Sequence, residues 1–191
     1  MQTLDELAEH IRRCTLCPLH NGRTHAVPGE GNPKSELMFI GEGPGKKEDE
    51  LGRPFVGAAG KFLEQLLAAI NLKREDVFIT NVVKCRPPEN RDPEPQEVET
   101  CTTHYLFAQI DAINPRLIIT LGRHSMYRFL PDTFKISEVH GKPFRRHGKV
   151  YLPLYHPAVA LYTGSMRSVL IADMKKIPAI LKKIDSLPQA S

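Results

Sequence analysis

Residues 37–45 read LMFIGEGPG, a wholly apolar run that ends in a glycine-rich turn. A short apolar run bounded by a turn is typical of a strand that is buried on both faces of a parallel sheet. Residues 60–70 then carry apolar side chains at helical spacing, and residues 77–80 form a second apolar run that ends at Asn81. The order strand, loop, helix and strand predicts one crossover unit of an α/β domain.

The rest of the chain continues this alternation of helices and strands. A capping box of Thr3 and Glu6 predicts a helix over residues 4–13, and Pro95 predicts the start of a helix that runs to about Ile113. The remaining predicted elements are a strand over 117–121, a helix over 123–130, a hairpin of 142–146 and 149–154, and a terminal helix over 165–184 interrupted by Pro178. We therefore expect an α/β fold, a three-layer α/β/α sandwich around a central, mostly parallel four-stranded sheet.

The composition is that of one globular domain over residues 1–191. Apolar residues make up 41% of the chain and charged residues 25%, which excludes a disordered chain and a membrane-spanning protein. A net charge of +4 permits a polyanionic partner without requiring one. Four cysteines and no apolar signal sequence lead us to expect a cytoplasmic protein, and its size leads us to expect a monomer.

Glycine or polar residues follow every predicted parallel strand. Besides the glycine-rich turn, these residues are Asn81, Gly122 and His156. Taken singly, an asparagine at a strand end usually caps a turn, and a lone histidine is more often structural than catalytic. Ligands of parallel α/β sheets bind beyond the carboxyl ends of the strands, so these residues are expected to share one crevice.

The turn sequence GEGPGKKEDELGRPFVG at 41–57 is not a phosphate-binding P-loop, because its lysines are not followed by serine or threonine. Its glycines allow the backbone to approach a flat or anionic ligand closely, although a turn of this kind, taken alone, is slightly more often only a tight turn than a binding site. Phe55 within it would ordinarily belong to the core, yet an aromatic ring so close to the glycines can also stack on a nucleobase.

The four cysteines are spaced as a C-x2-C pair, 67 intervening residues and a C-x15-C pair. They are Cys14, Cys17, Cys85 and Cys101. One interpretation is four unrelated thiols, and the other, which the close first pair favours, is a single site built from all four. Because the second pair is not close, the spacing favours an iron-sulfur cluster over zinc only modestly, and it does not by itself name the metal.

As a set, these residues resemble family 4 of the uracil-DNA glycosylases, the iron-sulfur branch of that superfamily. The resemblance covers residues 1 to about 180. It rests on the C-x2-C pair at 14–17, GEGPGKKED and GRPFVG within 41–57, TNVVKCRPPENRDPEP at 80–95, Cys101, and HPA at 156–158. It implies a parallel-sheet α/β/α fold, one 4Fe-4S cluster on the four cysteines that serves structure and DNA docking, and excision of uracil from single- or double-stranded DNA.

The resemblance also implies the residues that bind the base. Phe55 would stack on a uracil flipped out of the DNA, and Asn81 would hydrogen-bond its pyrimidine edge. Glu48 would limit the room beside C5 so that thymine is rejected. Gly41 would contribute to the same pocket at the end of the first strand.

The catalytic residues implied by the resemblance are His156, Glu42 and Gly43. His156 would donate a hydrogen bond to uracil O2 as negative charge grows on the departing base, and a neutral imidazole can do so without losing a proton. Backbone groups around Gly43 would line the pocket. Glu42 stands where other uracil glycosylases carry an aspartate that orients water, and the sequence leaves its role open. The residues expected to wedge into DNA or hold phosphate are Leu161, Tyr162 and Arg167.

Two other classes of function are compatible with the sequence. One is a catalytically idle module that recognises uracil or an abasic site without cleaving a bond. The other is a zinc-stabilised α/β protein that acts on a free nucleotide. The colour of the purified protein separates the second from an iron-sulfur glycosylase, whereas only an activity assay separates the first.

Overall fold

The computed structural model describes residues 2–186, and within them six strands form one sheet. The strands are β1 (Glu30–Gly31), β2 (Leu37–Gly41), β3 (Phe78–Asn81), β4 (Leu117–Leu121), β5 (Phe144–Arg146) and β6 (Lys149–Leu154). They lie in the order β1-β3-β2-β4-β6-β5, in which the four central strands are parallel and the two edge strands are antiparallel to their neighbours. The predicted α/β class and the four parallel strands are confirmed, but the sheet has six strands instead of four.

The two additional strands have different origins. β5 is the first arm of the predicted hairpin, and it begins at Phe144 instead of residue 142. β1 has two residues, too few to show any periodicity in the sequence. At Gly31 the φ angle is +125°, and a Cβ atom would lie 1.9 Å from the carbonyl oxygen of Val77, so glycine is required for this close approach to β3.

The helices cover both faces of the sheet. Their bounds are α1 (Leu4–Arg13), α2 (Lys46–Leu51), α3 (Ala58–Ala68), α4 (Pro95–Cys101), α5 (Phe107–Ile113), α6 (Arg123–Tyr127), α7 (Ile136–Val139), α8 (Val159–Tyr162), α9 (Ser165–Met174) and α10 (Ile177–Lys183). A π-helical segment, Thr102–Leu106, joins α4 to α5, and short 3₁₀ turns occupy Pro18–Asn21, Arg74–Asp76, Pro88–Asn90 and Ile184–Ser186. None of these helices is both long and apolar enough to span a bilayer.

Several predicted boundaries are wrong. The glycine-rich turn contains α2, whose sequence KKEDEL has almost no apolar residue and therefore no hydrophobic period. The helix predicted to reach residue 130 ends at Tyr127, and the terminal helix divides into α9 and α10 around Lys175 and Lys176, just before Pro178. The helix predicted from Pro95 to Ile113 is continuous, but it widens into the π segment directly after Cys101.

The alternation of side chains along β2 explains why the sheet is covered on both faces. Met38 and Ile40 point into a core that includes side chains of α1 and α5, whereas Leu37 and Phe39 point into a second core with α3 and α9. Each of these side chains is buried, and burial of a large apolar side chain stabilises the fold by about 1.5–3 kcal/mol. The two cores define the outer layers of the α/β/α sandwich.

Because the four central strands are parallel, their carboxyl ends lie at the same edge of the sheet. From β2 the chain passes to β3 on one side, and from β3 it crosses to β4 on the other side of β2. The direction of the connections therefore reverses beside β2. A crevice forms at such a reversal, outside the carboxyl ends of the strands.

Candidate active site and cysteine centre

Gly41 allows two predicted site residues to converge at the ends of β2 and β3. It pairs with Asn81 in the sheet register. A Cβ atom at residue 41 would lie 2.4 Å from Asn81 Oδ1 and 2.6 Å from the ring of Phe55. Any larger residue at this position would therefore force the asparagine and the aromatic ring apart.

The side chain of Asn81 is buried but incompletely bonded. It is 2% exposed, and its Oδ1 atom has no hydrogen-bond partner among the described residues. Leaving a buried acceptor unbonded costs about 1–3 kcal/mol. Its own backbone carbonyl accepts a 2.7 Å bond from Lys84 Nζ, which fixes the end of β3. A buried amide with an open acceptor can receive a donor from a ligand.

Glu48 fixes the loop that carries Phe55. The Glu48 Oε1 atom accepts hydrogen bonds from the backbone N–H groups of Val56 and Gly57, both at 2.8 Å. These donors lie at the amino end of α3, where a carboxylate is electrostatically favoured. Glu48 itself comes from α2, the helix that the sequence did not reveal. The residue predicted to limit space beside the base thus also braces the aromatic residue of the pocket.

His156 follows β6 and is held as a neutral hydrogen-bond donor. The backbone N–H of Ala158 donates to His156 Nδ1 at 3.2 Å, so Nδ1 is unprotonated and the ring proton of the neutral imidazole is on Nε2. Burial lowers the pKa of His156 to about 4, against the opposing attraction of Glu48. Its ring lies 5.7 Å from that of Phe55, with 29° between the planes.

A cavity of about 180 Å³ contains most of the predicted base-binding residues. Its lining is Gly43, Gly45, Glu48, Phe55, Ala59, Asn81 and His156. The volume is smaller than the roughly 300–1,000 Å³ of a drug-sized site and suits one small planar ring. Sequence analysis missed Ala59, which lies in the first turn of α3 and has no chemical signature of its own.

Glu42 lies in an adjoining cavity of about 330 Å³, which shares Gly43, Gly45 and His156 with the first. Burial raises the pKa of Glu42, His124 opposes this effect, and Asp92 adds to it. Ligand atoms of Glu42, Asp92 and His124 all lie within 4.8 Å of one another. The sequence did not single out Asp92 or His124, because they are distant in the chain and have no distinctive spacing.

The three predicted DNA-contacting residues have different environments. Leu161 and Tyr162 end α8 and are 43% and 88% exposed, large fractions for apolar or aromatic side chains. Arg167 in α9 is engaged with α3, because its Nη2 donates to Gln65 Oε1 at 2.8 Å and its guanidinium carbon lies 4.4 Å from the centroid of the Phe62 ring. The structure therefore leaves Leu161 and Tyr162 projecting outward, whereas it holds Arg167 against the neighbouring helix.

The fold places Cys85 and Cys101 inside one hydrophobic core and packs Cys14 and Cys17 against the same core. Cys14 follows α1, Cys17 precedes a 3₁₀ turn, Cys85 follows β3, and Cys101 ends α4. None of them forms a disulfide, and Cys85 and Cys101 are buried. The centre therefore consists of four thiols from four separate elements.

Burial, neighbouring charges and hydrogen bonds all act on these thiols. Burial raises the pKa of Cys101 to about 12 despite the opposing effect of Lys84, and Cys85 and Cys17 raise it further. The Lys84 backbone N–H donates to Cys101 Sγ at 3.3 Å, and Arg23 Nη1 donates to Cys85 Sγ at 3.0 Å. N–H groups directed at sulfur stabilise thiolates, which are the form that binds metal.

Comparison with known proteins identifies the family. The family model described as "Uracil DNA glycosylase superfamily" matches residues 28–177. Three similar proteins are each named type-4 uracil-DNA glycosylase. That of Sulfurisphaera tokodaii is 50% identical (93% of this chain, 84% of the relative), that of Archaeoglobus fulgidus 47% (96% of each), and that of Thermotoga maritima 45% (96% and 99%). The chain therefore belongs to the uracil-DNA glycosylase superfamily and, within it, to the type-4 uracil-DNA glycosylases.

Proposed function

We infer that this chain is a DNA repair glycosylase that hydrolyses the N-glycosidic bond of uracil in DNA, releasing free uracil and leaving an abasic site. Its family membership supports this activity. The observation that carries the proposal is the shared cavity of Phe55, Asn81 and His156, in which a buried amide acceptor and a neutral imidazole donor face one small space. The active form is proposed to be a cytoplasmic monomer with a single domain.

Asn81 distinguishes uracil from cytosine in this proposal. Its Oδ1 accepts the N3–H of uracil, and its Nδ2 donates to O4. Cytosine presents an acceptor at N3 and a donor at C4, so the same amide would meet two mismatched groups. Phe55 stacks on the face of the base, and Gly41 leaves room for that ring beside the amide.

Glu48 provides a second element of specificity. Its carboxylate lines the cavity and is held in place by the N–H groups of Val56 and Gly57. A fixed, charged group beside C5 disfavours the apolar methyl group of thymine. We propose that Glu48 rejects thymine and at the same time positions the stacking residue.

His156 supplies the main electrostatic contribution to catalysis. As the glycosidic bond breaks, the sugar gains oxocarbenium character and uracil becomes an anion, whose charge develops on O2. The Nε2–H of His156 donates to O2 and needs no change in protonation to do so. A preorganised donor of this kind contributes about 10²–10³ in rate.

Glu42 and Gly43 act on the other side of the breaking bond. The cavity that contains Glu42 adjoins the base pocket through Gly43 and His156, where the sugar of a bound nucleotide would be placed. We propose that the Glu42 carboxylate orients the attacking water and stabilises the positive charge of the sugar. Backbone groups of Gly43 line the path between the two cavities.

The substrate is uracil-containing DNA, single- or double-stranded. The base must leave the helix before it can enter the pocket, which costs a few kcal/mol in a duplex. Leu161 and Tyr162 project from α8, just after His156, and are proposed to fill the gap left by the base. For Arg167 we propose a phosphate contact, which requires the side chain to exchange its bond with Gln65 for the DNA backbone.

One 4Fe-4S cluster on Cys14, Cys17, Cys85 and Cys101 completes the proposal. An all-thiolate donor set drawn from four elements suits such a cluster, and the N–H bonds to two of the sulfurs are those expected around it. When bound, the cluster would cross-link the chain and contribute to DNA docking, with no part in breaking the glycosidic bond. A brown protein with broad visible absorbance and about four irons per chain supports it, and a colourless, zinc-containing protein refutes it.

The activity is tested with a labelled single-stranded oligonucleotide that contains one uracil. The protein is incubated with this DNA, and alkali then cleaves any abasic site. We expect strand cleavage at uracil and none at thymine or cytosine in matched oligonucleotides. Binding of the uracil oligonucleotide without cleavage would instead establish an idle recognition module.

A further inference from the structure

The backbone of Phe55 has a left-handed conformation, which must be stabilised by contacts with other residues. Its φ angle is +51°, in the left-handed region, which is uncommon and unfavourable for a bulky residue. Its carbonyl group is packed tightly against α3, since a Cβ atom at Gly60 would lie 1.8 Å from the Phe55 oxygen. The orientation of the ring therefore depends on what holds this carbonyl.

Arg74 binds this carbonyl group directly. Arg74 Nη1 donates to the Phe55 carbonyl at 2.8 Å, and Nη2 donates to the carbonyl of Pro54. Hydrogen bonds from a charged donor are stronger than those between neutral groups, so these two bonds stabilise the strained conformation. Glu48 accepts from the two N–H groups that follow Phe55. Charged side chains therefore bond the backbone on both sides of the Phe55–Val56 peptide.

Glu30 orients Arg74 in turn. Glu30 Oε1 accepts from Arg74 Nε at 3.1 Å and from Nη2 at 2.6 Å. Glu30 lies in β1, the edge strand paired with β3, and Arg74 lies in the 3₁₀ turn that leads into β3. Since β3 ends at Asn81, one edge of the sheet fixes both the stacking ring and the amide that reads the base.

We propose that Arg74 is a positioning residue for base recognition, which acts by holding the Phe55 backbone so that the ring lies over the flipped base. The inference rests on the proposed function, in which Phe55 stacks on uracil. Arg74 is 17% exposed at its side chain, and its guanidinium contacts the carbonyls of Pro54 and Phe55 as well as Glu30 and Glu64. Because Phe55 is the residue of this loop that lines the base cavity, the effect of removing Arg74 on base recognition should depend on the Phe55 ring.

A double-mutant cycle with the holoenzyme tests this proposal. Arg74→Met should lower kcat/KM on single-stranded uracil DNA about tenfold in the otherwise unchanged chain, but less than about twofold in a Phe55→Leu background. The matched control is Arg53→Met. Arg53 also bonds Glu30 through its guanidinium, but its side chain is 60% exposed. This control should change kcat/KM less than about twofold.

The possible results distinguish a failure of the role of Arg74 from a failure of the stacking role of Phe55. Equal losses from Arg74→Met in both backgrounds, or no loss in either, would overturn the positioning role. If Phe55→Leu alone leaves kcat/KM unchanged, the proposed stacking of Phe55 fails first, and the role of Arg74 fails with it. Should Arg74→Met not yield folded protein, the same cycle with Arg74→Lys decides, because lysine keeps the charge but cannot bond two carbonyls and Glu30 together.

Discussion

The base pocket and the cysteine centre differ in whether their buried polar atoms have hydrogen-bond partners. In the pocket, Asn81 Oδ1 is buried without a partner among the described residues, and Phe55 has a left-handed backbone. At the cysteine centre, Cys85 and Cys101 are packed into a core, and their sulfurs accept hydrogen bonds from Arg23 and Lys84. The pocket thus retains strain and an acceptor without a partner that a substrate can satisfy, whereas two of the cysteine sulfurs are buried and already have hydrogen-bond donors.

This difference predicts that substitutions in the two regions affect different measurements. Cys85→Ala should have the largest effect, because it removes one ligand of the proposed cluster, which would cross-link residues 14 to 101. We expect loss of visible absorbance and of iron, and a protein that is largely insoluble or unfolded at a temperature where the parent chain is folded. A soluble Cys85→Ala protein with unchanged Tm would show that the cysteine centre does not hold the fold together.

His156→Ala should have the largest effect on catalysis. Loss of the proposed donor to uracil O2 is expected to reduce kcat by about 10²–10³, with the iron content and visible spectrum unchanged. Single-turnover excision assays measure the rate. The control is His10→Ala, which removes an exposed histidine of α1 and should retain full activity. A His156→Ala enzyme as active as the parent would remove this residue from the mechanism.

Asn81→Ala should have a smaller effect, of about 10- to 100-fold in kcat/KM, because it removes the two hydrogen bonds that we propose to a neutral base. The same change also removes a buried acceptor that is unbonded in the free protein. We therefore expect Tm to stay the same or rise while kcat/KM falls, the opposite of the result at Cys85. A fall in Tm with unchanged kcat/KM would mean that Asn81 serves the fold and not the base.

Tyr162→Ala should have the smallest effect and should depend on the substrate. In single-stranded DNA the uracil needs no wedge to leave a helix, so kcat/KM should change less than about twofold. In a duplex we expect a loss of a few-fold, because nothing then fills the gap left by the flipped base. The ratio of the two kcat/KM values is the measurement, and an unchanged ratio would contradict a wedge at Tyr162.

The sequence determined the parts of this protein that depend on local chemistry. The apolar runs at β2, β3, β4 and β6 predict buried parallel strands, because a strand covered on both faces must be apolar throughout. Because ligands bind beyond the carboxyl ends of parallel strands, the residue that follows each strand is a candidate for the site. In this way the sequence alone indicates Asn81, His156 and the glycine-rich turn as site candidates.

Tertiary structure decided what depends on groups that are distant in the chain. The two residues of β1 become a strand only through pairing with β3, and α2 forms despite its lack of an apolar face. The grip of Arg74 on Phe55 spans 19 residues, and that of Glu48 spans 8 and 9. A local pattern carries no signal of such contacts, because the energy that selects them comes from hydrogen bonds and burial that exist only once the chain has folded.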